Sequence, residues 1–351
     1  MPTLDEIFVP KQMARMSKMA RPVSTFLIDT FFKDQTPSPT KKVVIDFVKE
    51  GAPLAAFVHP KNPVGIMEND GYETKEFTTP LLAPTRVLDE ERISTRMAGE
   101  DPHLSKTEAT RAGKYVIEDL TKNINSIKRR MEWMANQAIF GGKIPIKSSD
   151  LDYEIDFGFT NKEVLEDKAK WNETDSDPLA DILRWKGIVN GKSGRDANIA
   201  ICSQSTMMAY IDHPKVKERL DIRNYQLGTV NPKIVKPFVT YFATDKVTGV
   251  DFYCYDAKFT DNFTDPKNVR ENVPFVPNGS IALLPSDGDF RTFYGAITYK
   301  PRGAKNFVTE EKKMVAHSFD ETRPDRIFTQ VLSRPLPAPI EVDSWFVAQV
   351  L

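Results

Sequence analysis

The amino-acid sequence predicts an α+β fold with one long amphipathic helix, short strands on either side of it, and a compact domain inserted in the middle of the chain. Three observations indicate this class. A single apolar stripe of helical period runs through residues 105–140. The 25 prolines among 351 residues are spread along the chain and interrupt short extended runs. After about residue 176, helical patterns alternate with buried-strand patterns.

Composition and charge exclude several classes of protein. Hydrophobic residues make up 40% of the chain, which is enough for a substantial core. The formal net charge of -1 argues against a chain that coats nucleic acid or anionic membrane over its whole surface, although local basic faces are compatible with it. No apolar run reaches the roughly 18 residues of a membrane span. Cys202 and Cys254 form no CxxC pattern, so we expect a reducing cytosolic origin without disulfides.

Residues 1–35 lack the pattern of a core element, and we expect them to form an N-terminal arm. The stretch 11–21 carries four bases and no acid. It has cations at helical spacing and methionines on another face: Lys11, Arg15, Lys18, Met13 and Met16. This stretch is either a short surface helix or an extended arm that contacts a neighbouring protein or nucleic acid. The methionines favour a protein neighbour, because thioether side chains adapt to irregular apolar surfaces.

Extended runs follow the arm. Residues 36–59 predict strands, at 41–51 and 54–59. Residues 60–84 predict a long polar hairpin, because Asp70-Gly71 is a two-residue turn signal between extended flanks at 64–69 and 72–77. The few large apolar residues of these flanking strands are Ile66, Met67, Tyr72 and Phe77. Since so polar a hairpin is marginally stable alone, we expect it to lie on another surface, in the same chain or in another.

The helix predicted over 105–140 begins at a capping box of Ser105 and Glu108 and ends at Gly141-Gly142. Its apolar stripe consists of Val116, Leu120, Ile124, Ile127, Met131, Met134 and Ala138. Because only one stripe is apolar, we expect this helix to lie across a sheet or another surface rather than inside a bundle. The alternating pattern at 143–158 predicts a hairpin packed under it.

A charged stretch at 160–175 is typical of a linker. Beyond it, the pattern predicts a compact domain with a helix that starts at Asp177-Pro178 and another that bends or breaks near Pro214. The end of the chain returns to an extended pattern that we expect to rejoin the first sheet. The predicted division is an arm at 1–35, strands at 36–59, the hairpin at 60–84, the helix-bearing part at 85–175, the inserted domain at 176–325 and C-terminal strands at 326–351.

No pattern in the sequence supports catalysis, a cofactor or a metal. Gly191-Lys192-Ser193 lacks the glycine that a phosphate-binding loop has five residues earlier, and a helix pattern precedes it. The four histidines are far apart and show no metal-ligand spacing. Ser203 or Ser205 with Asp212-His213 is a combination that any chain of this length offers by chance. We therefore predict no catalytic, cofactor-binding or metal-binding residues.

Several stretches, in order along nearly the whole chain, resemble the lambda-type major capsid protein E family of tailed phages, which has the Hong Kong 97-type fold. These stretches are FFKDQTPSPTKKVVIDFVKEGAPLAAFVHP, EFTTPLLAPTRVL, RRMEWMANQAIFGGKIPI, DIRNYQLGT and IEVDSWFVAQVL. The resemblance implies that the arm runs along a neighbouring subunit and that the hairpin at 64–79 is an extended loop overlapping the adjacent subunit. It also implies that 105–140 is the spine helix of a peripheral domain and 176–325 an axial domain. The basic and apolar residues named above in the arm and hairpin would then form assembly interfaces.

The resemblance further implies a major capsid protein that self-assembles into pentamers and hexamers. These close into an icosahedral head shell around double-stranded DNA, in a virion assembled in the cytoplasm of a host bacterium. The implied partners are other copies of the chain, DNA on the inner face, and separate scaffolding, portal and decoration proteins. Two alternatives remain at this point: a soluble α+β hydrolase, and an encapsulin-like shell around protein cargo. Particle size distinguishes the first alternative, and nuclease-protected DNA distinguishes the second.

Overall fold

The computed structural model describes residues 13, 25–48, 72–95, 108–147, 151–221, 233–261, 269–322 and 325–351. The helices with both ends in these ranges are α1 (Leu27–Phe31), α2 (Glu90–Ser94), α3 (Glu108–Asn136), α4 (Pro178–Ser193), α5 (Gln204–Asp212) and α6 (Pro214–Asp221). The first eleven strands are β1 (Phe32–Asp34), β2 (Lys42–Val48), β3 (Tyr72–Thr78), β4 (Thr85–Leu88), β5 (Lys143–Lys147), β6 (Asp152–Asp156), β7 (Lys162–Val164), β8 (Ala197–Cys202), β9 (Lys233–Lys236), β10 (Val239–Asp245) and β11 (Val250–Tyr255). The other ten are β12 (Lys258–Asp261), β13 (Arg270–Pro274), β14 (Ser280–Pro285), β15 (Phe290–Tyr294), β16 (Ile297–Tyr299), β17 (Val308–Glu310), β18 (Val315–Thr322), β19 (Asp325–Leu332), β20 (Pro335–Pro339) and β21 (Phe346–Gln349).

The long helix α3 ends in a π-helical turn at Gln137–Gly141. Gly142 then adopts the left-handed conformation, with φ of 69°, and its N–H donates to the Ala138 carbonyl. Glycine is required there twice over, because a Cβ atom would also lie 2.4 Å from that of Phe159. The predicted N-cap, Ser105, lies outside the described residues.

All seven residues of the predicted stripe of α3 are buried. Burial extends beyond the stripe in the last turns, where every residue from Met131 to Asn136 is buried, the polar Glu132 and Asn136 included. Helix α1 packs against this end of α3, where the Glu132 carboxylate accepts from the N–H groups of residues 26–28. Polar contacts tie the helix to its surroundings as well: Asn123 Nδ2 donates to the Thr329 carbonyl at 3.1 Å, and Trp345 Nε1 donates to the Ile139 carbonyl at 3.0 Å.

Two three-stranded sheets contact α3, and both combine strands from the two ends of the chain. One has the order β18-β19-β4, with both pairs antiparallel. The other has the order β1-β15-β20, in which β1 runs parallel to β15 and β20 antiparallel to it. Strands β19 and β20 therefore return to strands of the N-terminal part, as predicted, and α3 lies across them.

A seven-stranded sheet with the order β7-β21-β14-β8-β11-β10-β9 organises the middle of the chain. Helix α4 begins as predicted, with the Asp177 side chain accepting from the Ala180 N–H at 3.2 Å and proline at its first position. The predicted break is also present, since α5 ends at Asp212 and α6 starts at Pro214. The helices cover a core with Trp171, Ile182, Trp185, Phe252 and Phe346 among its members.

Two predictions about this region are wrong. The charged stretch 160–175 is not a linker, because β7 pairs with β21 and the Trp171 side chain is buried, its Nε1 donating to Asp181 at 3.2 Å. The last strand, β21, does not rejoin the first sheet either, because it lies between β7 and β14. Both errors concern strands whose partners are far away in sequence. The division into domains stays a prediction.

Two hairpin-like pairs lie side by side. Strands β5 and β6 pair antiparallel, as predicted for 143–158. Strand β3 pairs with β2 from Lys42–Thr78 to Val48–Tyr72, whereas the sequence predicted a partner at 64–69, which lies outside the described residues. Three rings join the two pairs: Phe47, Phe77 and Phe157 have centroids 5.9 to 6.5 Å apart. Strand β3 is therefore part of the subunit's own packing.

Candidate assembly interfaces

The β2–β3 pair has a buried face and an exposed face, because successive side chains of a strand point to opposite sides. Val43, Ile45 and Phe47 of β2 are buried. Val44, between them, is 58% exposed, and Tyr72 at the far end of β3 is 72% exposed. Charged and hydroxyl side chains pair across the two strands, with Lys42–Glu76 at 2.8 Å and Thr74–Asp46 at 2.6 Å. The pair thus presents a polar ribbon with two exposed apolar groups.

The structure separates the four hairpin residues that the sequence assigned to an interface. Tyr72 is on the exposed surface. Phe77 is half-buried and packs on Phe47 and Phe157 of its own chain, so its apolar contact is intramolecular. Ile66 and Met67 lie outside the described residues.

The N-terminal arm is described at one predicted position. Met13 is helical and fully buried in the main hydrophobic core of the same chain, so its side chain does not face a neighbour as the sequence suggested. The other residues predicted for the arm interface, which lie outside the described ranges, are Lys11, Arg15, Met16 and Lys18.

Glu132 holds the start of the described N-terminal segment against α3. Its carboxylate accepts from the backbone N–H groups of Phe26, Leu27 and Ile28 at 2.9, 2.7 and 3.1 Å, and from the Tyr255 hydroxyl at 2.9 Å. Its side chain is only 1% exposed. Burial raises the pKa of Glu132, and the backbone donors act in the opposite direction. One carboxylate thus joins α3 to the backbone at the start of α1 and to β11.

An apolar group on the edge of the seven-stranded sheet is exposed. Strand β9 is that edge, and its Ile234 and Val235 are 77% and 48% exposed. Phe238, in the turn to β10, is 71% exposed and has φ of 63°, a conformation that a bulky side chain rarely adopts. An edge strand offers unpaired backbone groups, and apolar side chains on it favour association.

Sequence patterns missed Glu132 and Phe238. Glu132 did carry a signal, because a carboxylate near the C-terminal end of a helix is disfavoured by the helix dipole and requires a specific partner. Phe238 carried none that separates it from a core aromatic residue, since its neighbours form an ordinary strand pattern.

The residues of the chance triad serve the fold and do not meet. Ser203 caps α5, with its hydroxyl accepting from the Thr206 N–H at 3.3 Å. The His213 ring lies 3.0 Å from the Ser176 hydroxyl and 3.0 Å from the Glu173 carbonyl. In the described part of the chain, three or more potential metal ligands do not come together. None of the helices described is long and apolar enough to cross a membrane.

Comparison with known proteins decides between the alternatives. The family model "Phage major capsid protein E" matches residues 10–350. The chain belongs to this family. The P21 prophage-derived major head protein of Escherichia coli O6:H1 is 23% identical over 355 residues, which cover 98% of this chain and 99% of that one. The major capsid protein of Escherichia phage lambda is 23% identical over 343 residues, which cover 91% and 92% of the two chains.

Solved structures agree on the fold of this capsid family member. The crystal structure of a prophage capsid protein of E. coli CFT073 superposes with a TM-score of 0.70 and 18% identity, covering 98% of this chain and 99% of that chain. A phage-related protein of Bordetella bronchiseptica RB50 superposes with a TM-score of 0.53 and 15% identity, covering 97% of each chain. The fold is the Hong Kong 97-type α+β fold, and the chain is a structural subunit of a phage head shell and not an enzyme.

Proposed function

We propose that this capsid subunit assembles into pentamers and hexamers that close an icosahedral shell around double-stranded DNA. Scaffolding, portal and decoration proteins are separate partners in this proposal, and assembly takes place in the cytoplasm of the host bacterium. The observation that carries the proposal is the family match over residues 10–350, nearly the full chain. The match leaves out only residues 1–9 and the last residue of the chain.

Two exposed surfaces of the subunit support self-association. A closed shell requires each subunit to present different patches to different neighbours. The outer face of the β2–β3 pair, with Val44 and Tyr72, is one such patch. The β9 edge, with Ile234 and Phe238, is another. Neither patch stabilises the isolated subunit, because an exposed apolar side chain gains little from its own fold.

The test replaces Phe238 by asparagine, which removes the aromatic ring and tolerates the left-handed backbone better than phenylalanine. The subunit should fold with an unchanged or higher melting temperature, since backbone strain of about 1 kcal/mol is relieved. Shell formation should fall about tenfold for each 1.4 kcal/mol that the contact contributes. Phe238→Leu, which keeps an apolar group, is the matched control and should assemble better than Phe238→Asn.

The measurements are sedimentation and electron microscopy of the purified protein, with and without co-expressed scaffolding protein. Normal shells from Phe238→Asn would show that the β9 edge is not an interface. Failure of the parent chain to form large particles in both settings would contradict the assembly proposal itself. Particles without nuclease-protected DNA after packaging would favour a shell for another cargo.

A further inference from the structure

A basic cleft lies between the exposed side of α3 and the β12–β13 pair. It encloses about 650 Å³. Three of its lining side chains are cations: Arg129 and Arg130 on α3 and Lys258 on β12. None of the described lining residues carries a carboxylate. On a chain with a formal net charge of -1, such a local excess of positive charge is a feature of this place and not of the surface as a whole.

The walls of the cleft are held by aromatic packing. The guanidinium carbon of Arg130 lies 4.5 Å from the centre of the Trp133 ring, which fixes the direction of this cation. On the other wall, Phe259 packs on Phe275 with ring centroids 4.9 Å apart. The cleft is thus bounded by fixed side chains, and Arg129 and Lys258 are exposed at its mouth.

The charges around the cleft favour an anion. Burial lowers the pKa of Arg130 to about 10, so the guanidinium is still charged at neutral pH. A partly desolvated cation gains more from an anion than one in water does, because the effective dielectric constant is lower. The nearby carboxylate of Asp261 is buried and bonded to Arg270 at 2.5 Å. Its charge also partly counters the lowering of the Arg130 pKa by burial, so two cations share this one negative charge.

We propose that this cleft binds the phosphate backbone of duplex DNA held inside the shell. Arginine, lysine and neutral donors such as Thr260 and Asn272, both of which line the cleft, are the groups that proteins use for phosphates, and such contacts are independent of base sequence. Binding that is independent of base sequence suits a shell whose inner face contacts every part of a genome. The assignment rests on the proposed enclosure of DNA, and it adds the residues and the chemical group through which the shell touches it.

The test uses the purified full-length subunit and a random-sequence duplex of about 30 base pairs, with binding followed by fluorescence anisotropy from low to high salt. The variant is Arg129→Gln with Lys258→Gln, which leaves the stacked Arg130 in place. The logarithm of the affinity should depend less steeply on the logarithm of the salt concentration, by about 0.9 for each phosphate that the protein no longer neutralises. Removal of both cations therefore predicts a slope smaller by about 1.8.

A matched control removes the same charge elsewhere. Lys122→Gln with Lys312→Gln changes two exposed lysines outside the cleft and should leave the slope unchanged. Equal slopes for both double variants would overturn the assignment. So would a cleft that binds a poly-aspartate peptide more tightly than the duplex, since the occupant would then be an acidic protein segment.

Shell formation separates this inference from the proposed function. The cleft variant should form empty shells in normal yield and retain less DNA after packaging. Loss of shells from the cleft variant, with melting temperature unchanged, would make the cleft a subunit interface and overturn the assignment. Cleft-dependent binding of long duplex DNA by intact empty shells would place the cleft on the outer surface and would also overturn it. Neither result would affect the family's role in building the shell.

Discussion

Replacing Glu132 by alanine should destabilise the subunit more than any other change of a single carboxylate described above. The carboxylate is 1% exposed and accepts from three backbone N–H groups and one tyrosine hydroxyl. Without it, the N–H groups of Phe26, Leu27 and Ile28 lose their acceptor in a place that water reaches poorly. A buried donor left unsatisfied costs about 1 kcal/mol at the low end, so the loss should be about 3 kcal/mol or more.

A loss of that size is a large fraction of the 5 to 15 kcal/mol or so that holds a typical domain together. Urea unfolding of the full-length subunit measures this loss of unfolding free energy directly. Amide hydrogen exchange then locates it, since protection at residues 26–28 should fall further than protection in β8 or β14. Glu132→Gln keeps one acceptor oxygen but sets an amide N–H₂ group among donors, and it should lose about half as much.

Glu118→Gln is the matched control on the same helix. Glu118 is exposed and pairs with Lys122, so its replacement should change the unfolding free energy by about 0.5 kcal/mol at most. Similar losses of unfolding free energy for Glu132→Ala and Glu118→Gln would contradict the role of Glu132 as a buried acceptor. Unchanged exchange at residues 26–28 in Glu132→Ala would show that another contact holds α1.

Three further predictions concern the core, acid stability and the loop. Met131→Asp puts a charge in the buried end of α3 and should yield insoluble protein. Lys122→Ala, at an exposed position, should leave the soluble yield and the melting temperature nearly unchanged. Equal behaviour of the two variants would contradict the packing of α3. Burial lowers the pKa of His317 below its ordinary 6.5, so the unfolded chain binds a proton first as the pH falls below that value. His317 should therefore lower the free energy of unfolding by up to about 1.4 kcal/mol for each unit that the pH falls, and the decrease should be smaller in His317→Gln. Identical dependence of the unfolding free energy on pH in the two proteins would refute this. Replacing residues 49–71 by a short glycine-asparagine turn that joins Val48 to Tyr72 should leave the β2–β3 register and the melting temperature unchanged, but shells should no longer be seen by sedimentation. Normal shells would show that the deleted residues do not join subunits.

Local patterns of the sequence were sufficient for the elements whose cause is local. The stripe of α3 repeats every three or four residues, and Gly142 ends the helix because a left-handed residue is needed there. The start of α4 at Asp177 and the break before Pro214 also depend on neighbouring residues alone. The resemblance carried by several short stretches identified the family, which pattern and spacing alone did not.

Contacts between distant parts of the chain were decided by the tertiary structure. Strand β21 lies in the seven-stranded sheet beside β7, more than 180 residues away, and its short apolar run suits either sheet equally well. Strand β3 pairs with β2 although a turn signal next to it pointed elsewhere. A strand pattern states which face is apolar but not which strand lies beside it.

The same reason explains why local patterns did not show the surroundings of Phe77, Phe238 and Glu132. The sequence by itself determined that Phe77 and Phe238 are large and apolar, and that Glu132 is an acid on a helix. Only the fold made Phe77 an internal contact, left Phe238 exposed at a sheet edge, and brought three backbone donors to Glu132. Burial depends on what the rest of the chain places over a residue, and that arrangement is set by the packing of the whole subunit rather than by the residue's neighbours in sequence.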